Sequence, residues 1–290
     1  MSILADKNSR VLVQGITGIQ ASFHVKRSLE TGTNIIAGTS PSRAGENYLG
    51  VPVFNNVHDA MRQFTFDASI LFVPAMSVKY AVREAVEAEI GLIVSIASGV
   101  PVHDMLEIRD MLKGSKTLMF GPNTPGIITP KQARLGIFPD NIHQPGAIGI
   151  ISRSSTLTYE AVLQTNKAGM GQSTVVGLGD DMIIGTDFRE PLRRFMEDDD
   201  TKAIVLVGKA DNAYEQLVAE YYASLKNKKP VVAFVAGEAL PFGHRMGYAQ
   251  NIITRGRVTV SDKKQIMREA GILVADQMDD VHKILTELSL

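Results

Sequence analysis

Val11-Leu12-Val13-Gln14-Gly15 reads as a strand that runs into Ile16-Thr17-Gly18-Ile19-Gln20, with a helix beginning near Ala21. Gly15 and Gly18 permit close backbone approach, and the unbonded N–H groups at a helix start attract anions. On these residues alone the turn is either a nucleotide or pyrophosphate cradle or a plain strand-to-helix turn. Its spacing is G-x-x-G without a third glycine, so the GxGxxG dinucleotide fingerprint is not met. An NAD site also wants an acidic residue about 20 positions on, at the end of the second strand. Here that strand ends Gly38-Thr39-Ser40-Pro41-Ser42-Arg43, with a cation in place of the acid. Arg43 is either an exposed loop arginine or a partner for a phosphate, such as the 3′-phosphate of coenzyme A or the 2′-phosphate of NADP.

The elements that must position such a site follow from the apolar pattern. Short β-branched-rich runs recur at Arg10–Gly15, Asn34–Gly38, Ser69–Val73, Leu92–Ile96 and Thr117–Phe120. They resume at Ala147–Ser152, Ser173–Leu178, Ala203–Val207, Val231–Val235 and Ile272–Ala275. Each is followed by a stretch of helical length. Continuous apolar runs mean strands covered on both faces, and the alternation with helices predicts parallel sheets. The expected fold is α/β, with two doubly wound parallel-sheet domains in tandem. The expected boundaries are a Rossmann-like domain over 1–122, a linker passage over 123–146 that is rich in proline and glycine, and a second domain over 147–290.

Composition removes several functions. Thirty Lys+Arg against 31 Asp+Glu give a formal charge of −1, so nothing points to a nucleic-acid or anionic-membrane partner. The absence of cysteine excludes disulfides, thiolate zinc sites, iron–sulfur clusters and a cysteine nucleophile. No metal-ligand spacing links the histidines, and no metal is expected. MSILADKNSR lacks the apolar core of a signal peptide, and no run approaches the roughly 20 apolar residues of a membrane span. A cytoplasmic location is expected.

Six segments, in order, carry a resemblance that spans nearly the whole chain: QGITGIQASFH, GTSPSRAGENYLGVPVFN, FVPA, GPNTPGIITP, GIISRSSTLTYEA and GHRMGYAQNII. Together they resemble the α subunit of succinyl-CoA synthetase (succinate–CoA ligase). The resemblance implies a CoA-binding Rossmann-like domain followed by a flavodoxin-like ligase domain. It assigns coenzyme A to Thr17, Gly18, Ile19, Gln20, to Arg43 where the family usually has lysine, and to Ile96, Ala97 and Ser98. It assigns a small carboxylic acid and phosphate to Ser154, Ser155, Thr156 and Tyr159. The hydroxyl-rich turn Ser152–Thr156 at a predicted helix start suits such anions. ATP or GTP with Mg would bind a β-type ATP-grasp partner subunit rather than this chain, in a hetero-oligomer.

The chain departs from that pattern where the phosphoryl group is carried. The family's phosphohistidine segment resembles RMGHAG, and here it reads Arg245-Met246-Gly247-Tyr248-Ala249-Gln250. A tyrosine with a solution pKa near ~10 is mostly protonated and a poor phosphoryl carrier at neutral pH, whereas neutral imidazole can attack. The glutamate that pairs with that histidine is matched by Lys209. Ser155 stands for a glycine, Thr124 for a cysteine and Asp180 for a glycine, and Asp180 beside Asp181 would repel a phosphoryl group. His244, four residues before Tyr248, is either a displaced carrier or an ordinary surface histidine. Two functions are therefore expected side by side: an acid–CoA ligase subunit, or a CoA- or nucleotide-binding paralogue without self-phosphorylation that serves as a transferase component or regulatory subunit. An NADP-dependent dehydrogenase lacks both the fingerprint and a hydride-transfer constellation.

Overall fold

The computed structural model describes residues 2–238, 258–288 and 290. All ten expected strands form, with ends shifted by a few residues. In chain order the strands are β1 (Val11–Gln14), β2 (Ile35–Thr39), β3 (Asn47–Tyr48), β4 (Val51–Phe54), β5 (Ala68–Leu71), β6 (Leu92–Ser95) and β7 (Leu118–Phe120). They continue with β8 (Gly126–Thr129), β9 (Ala133–Gly136), β10 (Pro145–Ser152), β11 (Gln172–Gly177), β12 (Ala203–Lys209), β13 (Val231–Ala236) and β14 (Leu273–Val274). The helices are α1 (Ile19–Glu30), α2 (Val57–Met61), α3 (Val78–Glu87), α4 (Val102–Lys113), α5 (Ser155–Lys167), α6 (Arg189–Glu197), α7 (Tyr214–Ser224), α8 (Val260–Glu269) and α9 (Asp280–Glu287). None of the described helices is long and apolar enough to cross a membrane.

Two compact units emerge. One joins Ser2–Asp140 with Leu178–Thr186; the other joins Asn141–Gly177 with Asp187–Leu290. In the first unit the sheet runs β3-β4-β2-β1-β5-β6-β7, parallel except for the edge pair β3–β4. The order of its six parallel strands is that of dinucleotide-binding sheets, in which the chain first winds one way from β1 and then returns to lay β5 on its other side. In the second unit the parallel run is β14-β13-β12-β10-β11, the flavodoxin-like order, with the reversal between β10 and β12. In such sheets ligands bind at the carboxyl ends of the strands beside the reversal.

Burial explains why these strands form. Every residue of β1, β5 and β6 is buried, as are all of β11 and β12. In the first unit Leu12, Leu71 and Ile93 pack with Val78, Val82, Met105 and Ile108 of α3 and α4. Each such aliphatic side chain contributes about 1.5–3 kcal/mol when fully removed from water.

Passage 123–146, expected as a linker, contains regular structure. Its residues form the antiparallel hairpin β8–β9, within the stretch Ser2–Asp140 of the first unit. Proline and glycine read as breakers, but Gly126 has φ +109 and a Cβ there would stand 2.1 Å from Leu135 O, so close strand pairing itself requires glycine. Arg134 of β9 fastens the hairpin to α1. Its Nη1 donates to His24 O and Ser28 Oγ, both at 2.9 Å, and its Nη2 meets His24 Nδ1 at 3.1 Å.

Candidate functional site

The first group of candidate residues converges at the carboxyl edge of the first sheet. The register aligns Gln14 with Thr39 on one side and with Leu71 on the other, and Leu71 with Ser95. The turns after β1, β2, β5 and β6 therefore leave the sheet at one level. Gly15 has φ +80, and a Cβ on it would lie 2.6 Å from Phe72 O, so the turn after β1 closes on the segment after β5 only with glycine. Thr17 Oγ1 bonds Ser40 Oγ at 2.8 Å, tying the turn after β1 to the one after β2.

Gly18 is the N-cap of α1, and no side chain caps this helix. Its first turn carries no acidic residue, and Ile19 is 92% exposed. The opening N–H groups of α1 are thus left to an external acceptor, with the positive end of the helix dipole behind them. Arg43 lies on a short 3-10 turn, Pro41–Arg43. Its Nη2 pairs with Glu46 at 2.6 Å, and its guanidinium lies 4.9 Å from the Tyr48 ring centroid. Glu46 holds the guanidinium pKa above its usual value, mainly through that hydrogen bond. The Tyr48 hydroxyl reaches Ser22 Oγ of α1 at 2.6 Å. Arg43 is thereby linked through Tyr48 to Ser22 of α1. Nothing in sequence spacing singled out Tyr48, which sits in a polar stretch and acts only through this contact.

Ile96, Ala97 and Ser98 follow β6. Ile96 N–H donates to Leu71 O at 3.2 Å, and Ala97 O accepts from Asn123 N–H at 2.8 Å. Further along α1, His24 Nδ1 faces the donor-only guanidinium of Arg134, an arrangement that calls for an acceptor at Nδ1. Burial lowers the His24 pKa, and the Arg134 charge lowers it further. Uncapped helix N–H groups, hydroxyls and one guanidinium together make a donor set suited to a phosphate-bearing ligand.

The second group belongs to the other unit. Ser154 caps α5, its Oγ accepting from Leu157 N–H at 3.4 Å. Ser152 Oγ donates to Ser154 O at 3.0 Å and accepts from Ser154 N–H at 3.1 Å. Ser155 opens the helix, Thr156 is exposed and Tyr159 is half-buried one turn on. Arg153 is fully buried, donates to Asp211 Oδ1 at 3.2 Å and lies over the Tyr214 ring at 5.0 Å.

Lys209 ends β12, buried. Its N–H donates to Glu215 Oε1 at 2.9 Å, and its carbonyl accepts from Lys263 Nζ at 2.7 Å. Lys263 also pairs with Glu215 Oε2 at 2.8 Å and reaches Asn212 O. Removing one partner of so buried a pair costs about 3–5 kcal/mol, because the other charge is stranded. Thr124, also buried, accepts from Gly126 N–H at 3.0 Å. Tyr248 and His244 lie outside the described residues.

Among the described residues His103, Asp104 and Glu107 place possible metal-ligand atoms within 4.8 Å of one another. Lys79 Nζ already bonds Asp104 at 2.6 Å and Glu107 at 3.1 Å, so an ammonium fills the cation's role.

Residues 6–99 match the model of the CoA binding domain family, and residues 151–273 match that of the CoA-ligase family. Succinate–CoA ligase (ADP-forming) subunit alpha 2 of Archaeoglobus fulgidus is 46% identical over 288 residues, covering 99% of this chain and 100% of that protein. The succinate–CoA ligase (ADP-forming) subunit alpha of Staphylococcus epidermidis is 41% identical over 287 residues, covering 99% and 95%. Among solved structures, ATP citrate lyase from Methanothrix soehngenii, in complex with citrate and coenzyme A, superposes with a TM-score of 0.89 at 22% identity. That match covers 98% of this chain but only 50% of the lyase chain. The dinucleotide-forming acetyl-coenzyme A synthetase 1 of Ca. Korarchaeum cryptofilum gives 0.75 at 19% identity, covering 95% and 59%. At such identities the likeness to the solved structures is one of fold.

Proposed function

This chain belongs to the succinate–CoA ligase α-subunit family, and on that premise we propose that its first unit binds coenzyme A through Thr17–Gln20, Arg43 and Ile96–Ser98 as the α-type subunit of an acid–CoA ligase. The observation that carries this is the uncapped start of α1 at the sheet's reversal point, with Arg43 linked to α1 through Tyr48 and Ser22. Coenzyme A supplies the thiol that becomes the thioester. The chain's own part is to bind and orient: N–H groups of α1 neutralise phosphate oxygens, and Arg43 exchanges Glu46 for phosphate.

The second unit, in this reading, offers Ser154, Ser155 and Thr156 to the carboxylate of a small acid or to phosphate, with Tyr159 beside them. A β-type ATP-grasp subunit brings ATP or GTP with Mg. Tyr248 does not carry the phosphoryl group, because its phenol is mostly protonated at neutral pH and Lys209 stands where the family has a carboxylate. That substitution favours a second reading, in which the chain binds CoA within a transferase or regulatory assembly without being phosphorylated.

Coenzyme A titrated calorimetrically into the full chain should bind; no heat of binding would overturn the CoA assignment. With γ-labelled ATP and a β-type subunit, the chain should retain no acid-labile label. Label on His244, accumulating as fast as thioester forms, would overturn the idea that the relay has been retired. Thioester formation without label separates direct phosphoryl transfer from the second reading, in which no thioester forms.

A further inference from the structure

We infer that Asp181 is a positioning residue for the turn after β6 and so sets how tightly coenzyme A is held there. The inference rests on residues 96–98 belonging to the CoA site. Asp181 lies beyond β11 in the chain, in Leu178–Thr186, a segment grouped with the first unit. At 4% exposure Asp181 is buried, and its carboxylate is engaged by neighbouring residues. Oδ2 accepts from Gly99 N–H at 3.1 Å, and Oδ1 accepts from Asn123 Nδ2 at 3.0 Å. Asn123 N–H in turn donates to Ala97 O at 2.8 Å. The turn is therefore held at both ends, its carbonyl by Asn123 and its N–H by Asp181.

The segment carrying Asp181 is anchored without the carboxylate. Gly121 N–H donates to Leu178 O and Gly185 N–H to Gly121 O, both at 2.9 Å, and Asp180 N–H donates to Asn123 O at 3.0 Å. Loss of the carboxylate thus frees the turn at Gly99, where φ is +75, rather than the segment. Burial raises the Asp181 pKa, opposed by hydrogen bonds from Asn123, Gly99 and Val100. A buried carboxylate is tolerated here because these donors meet it.

Asp181→Asn tests this, because it removes the charge that strengthens the bond from Gly99 N–H and leaves one side-chain oxygen to accept instead of two. With coenzyme A titrated into the full chain, the dissociation constant should rise about tenfold, as expected for loss of one charge-assisted bond. Hydrogen exchange at the Gly99 and Val100 amides should quicken. Ile108→Val, in the core between α4 and the sheet, should lower the unfolding midpoint while leaving CoA affinity within twofold of wild type. Asn123→Gly is a gentler second probe, because it keeps the backbone at φ +59 and the bond to Ala97 O. Wild-type affinity in both Asp181→Asn and Asn123→Gly overturns the inference alone. A wild-type chain that binds no coenzyme A overturns the CoA reading and this inference with it. An affinity loss in Ile108→Val matching that of Asp181→Asn also overturns it, because the effect would then be general destabilisation.

Discussion

Helices α1 and α5 start from the same local arrangement, a buried parallel strand running into a turn at its sheet's reversal point, yet their first turns are finished differently. Before α1 stands Gly18, with no capping side chain. Before α5 stands Ser154, whose hydroxyl takes the Leu157 N–H while Ser152 braces the Ser154 backbone. An N-cap serine stabilises a helix by about 1 kcal/mol relative to alanine, and an open cap leaves the same donors for a ligand. The contrast teaches that one architecture offers an anion two different welcomes. At α1 the helix dipole is fully available, whereas at α5 part of the donor set is already spent and side-chain hydroxyls must contribute.

The contrast breaks most sharply if Gly18 is made to resemble Ser154 with a charge. Gly18 sits at φ −65 and ψ 149, open to any residue, and a Cβ there would come no nearer than 3.4 Å to Gly15 O. Gly18→Asp should cap α1 from within and repel phosphate, weakening coenzyme A by about 100-fold in calorimetry while leaving the chain folded. Unchanged affinity would mean that the α1 start is a plain turn.

Arg43→Glu removes the cation but leaves the helix start, so a smaller loss of about tenfold is expected. Glu46 already competes for Arg43, which limits what the guanidinium can contribute. Equal losses in the two variants would shift the weight of binding from the helix to the arginine.

On the other side of the comparison, Ser154→Ala should lower stability by about 1 kcal/mol in urea unfolding without altering coenzyme A affinity. A change in that affinity would show that the two helix starts are not independent.

The smallest effect separates α1 from α5 by pH. The His24 pKa is lowered, so its contribution to stability is fully present above the ordinary value of 6.5 and is lost as pH falls through the folded-state value. His24→Asn keeps an acceptor for Arg134 but cannot titrate. Unfolding midpoints followed from neutral pH downward should fall more steeply for wild type than for His24→Asn. Parallel curves would assign the acid sensitivity elsewhere.

Much of the fold was legible because burial writes itself into sequence. Val11–Val13, Ile93–Val94 and Val205–Val207 are apolar without interruption, and strands covered on both faces require that. The β3–β4 pair escaped notice because Asn47-Tyr48 is two residues long and exposed to half-buried at the sheet edge. The β8–β9 hairpin escaped because its proline and glycine signal breakage in a local reading, and only the partner strand shows why glycine is needed. The glycine turn, Arg43 and the Ser154 cap were visible as residue types at the ends of strands. Tyr48, Asn123 and the Arg134–His24 pair were not, since each matters through a partner far away in the chain.

By itself the sequence determined two doubly wound sheets, a glycine turn that leaves α1 uncapped, a serine that caps α5, and tyrosine at position 248. These are local properties, decided by burial periodicity and by whether a residue at a helix start owns an acceptor. The tertiary structure alone decided that Tyr48 links Arg43 to Ser22 of α1, that burial and Arg134 lower the His24 pKa, and that Asp181 closes on Gly99 from 82 residues away. Contacts at such separations depend on how the sheets wind, and no local pattern of residue types encodes that path.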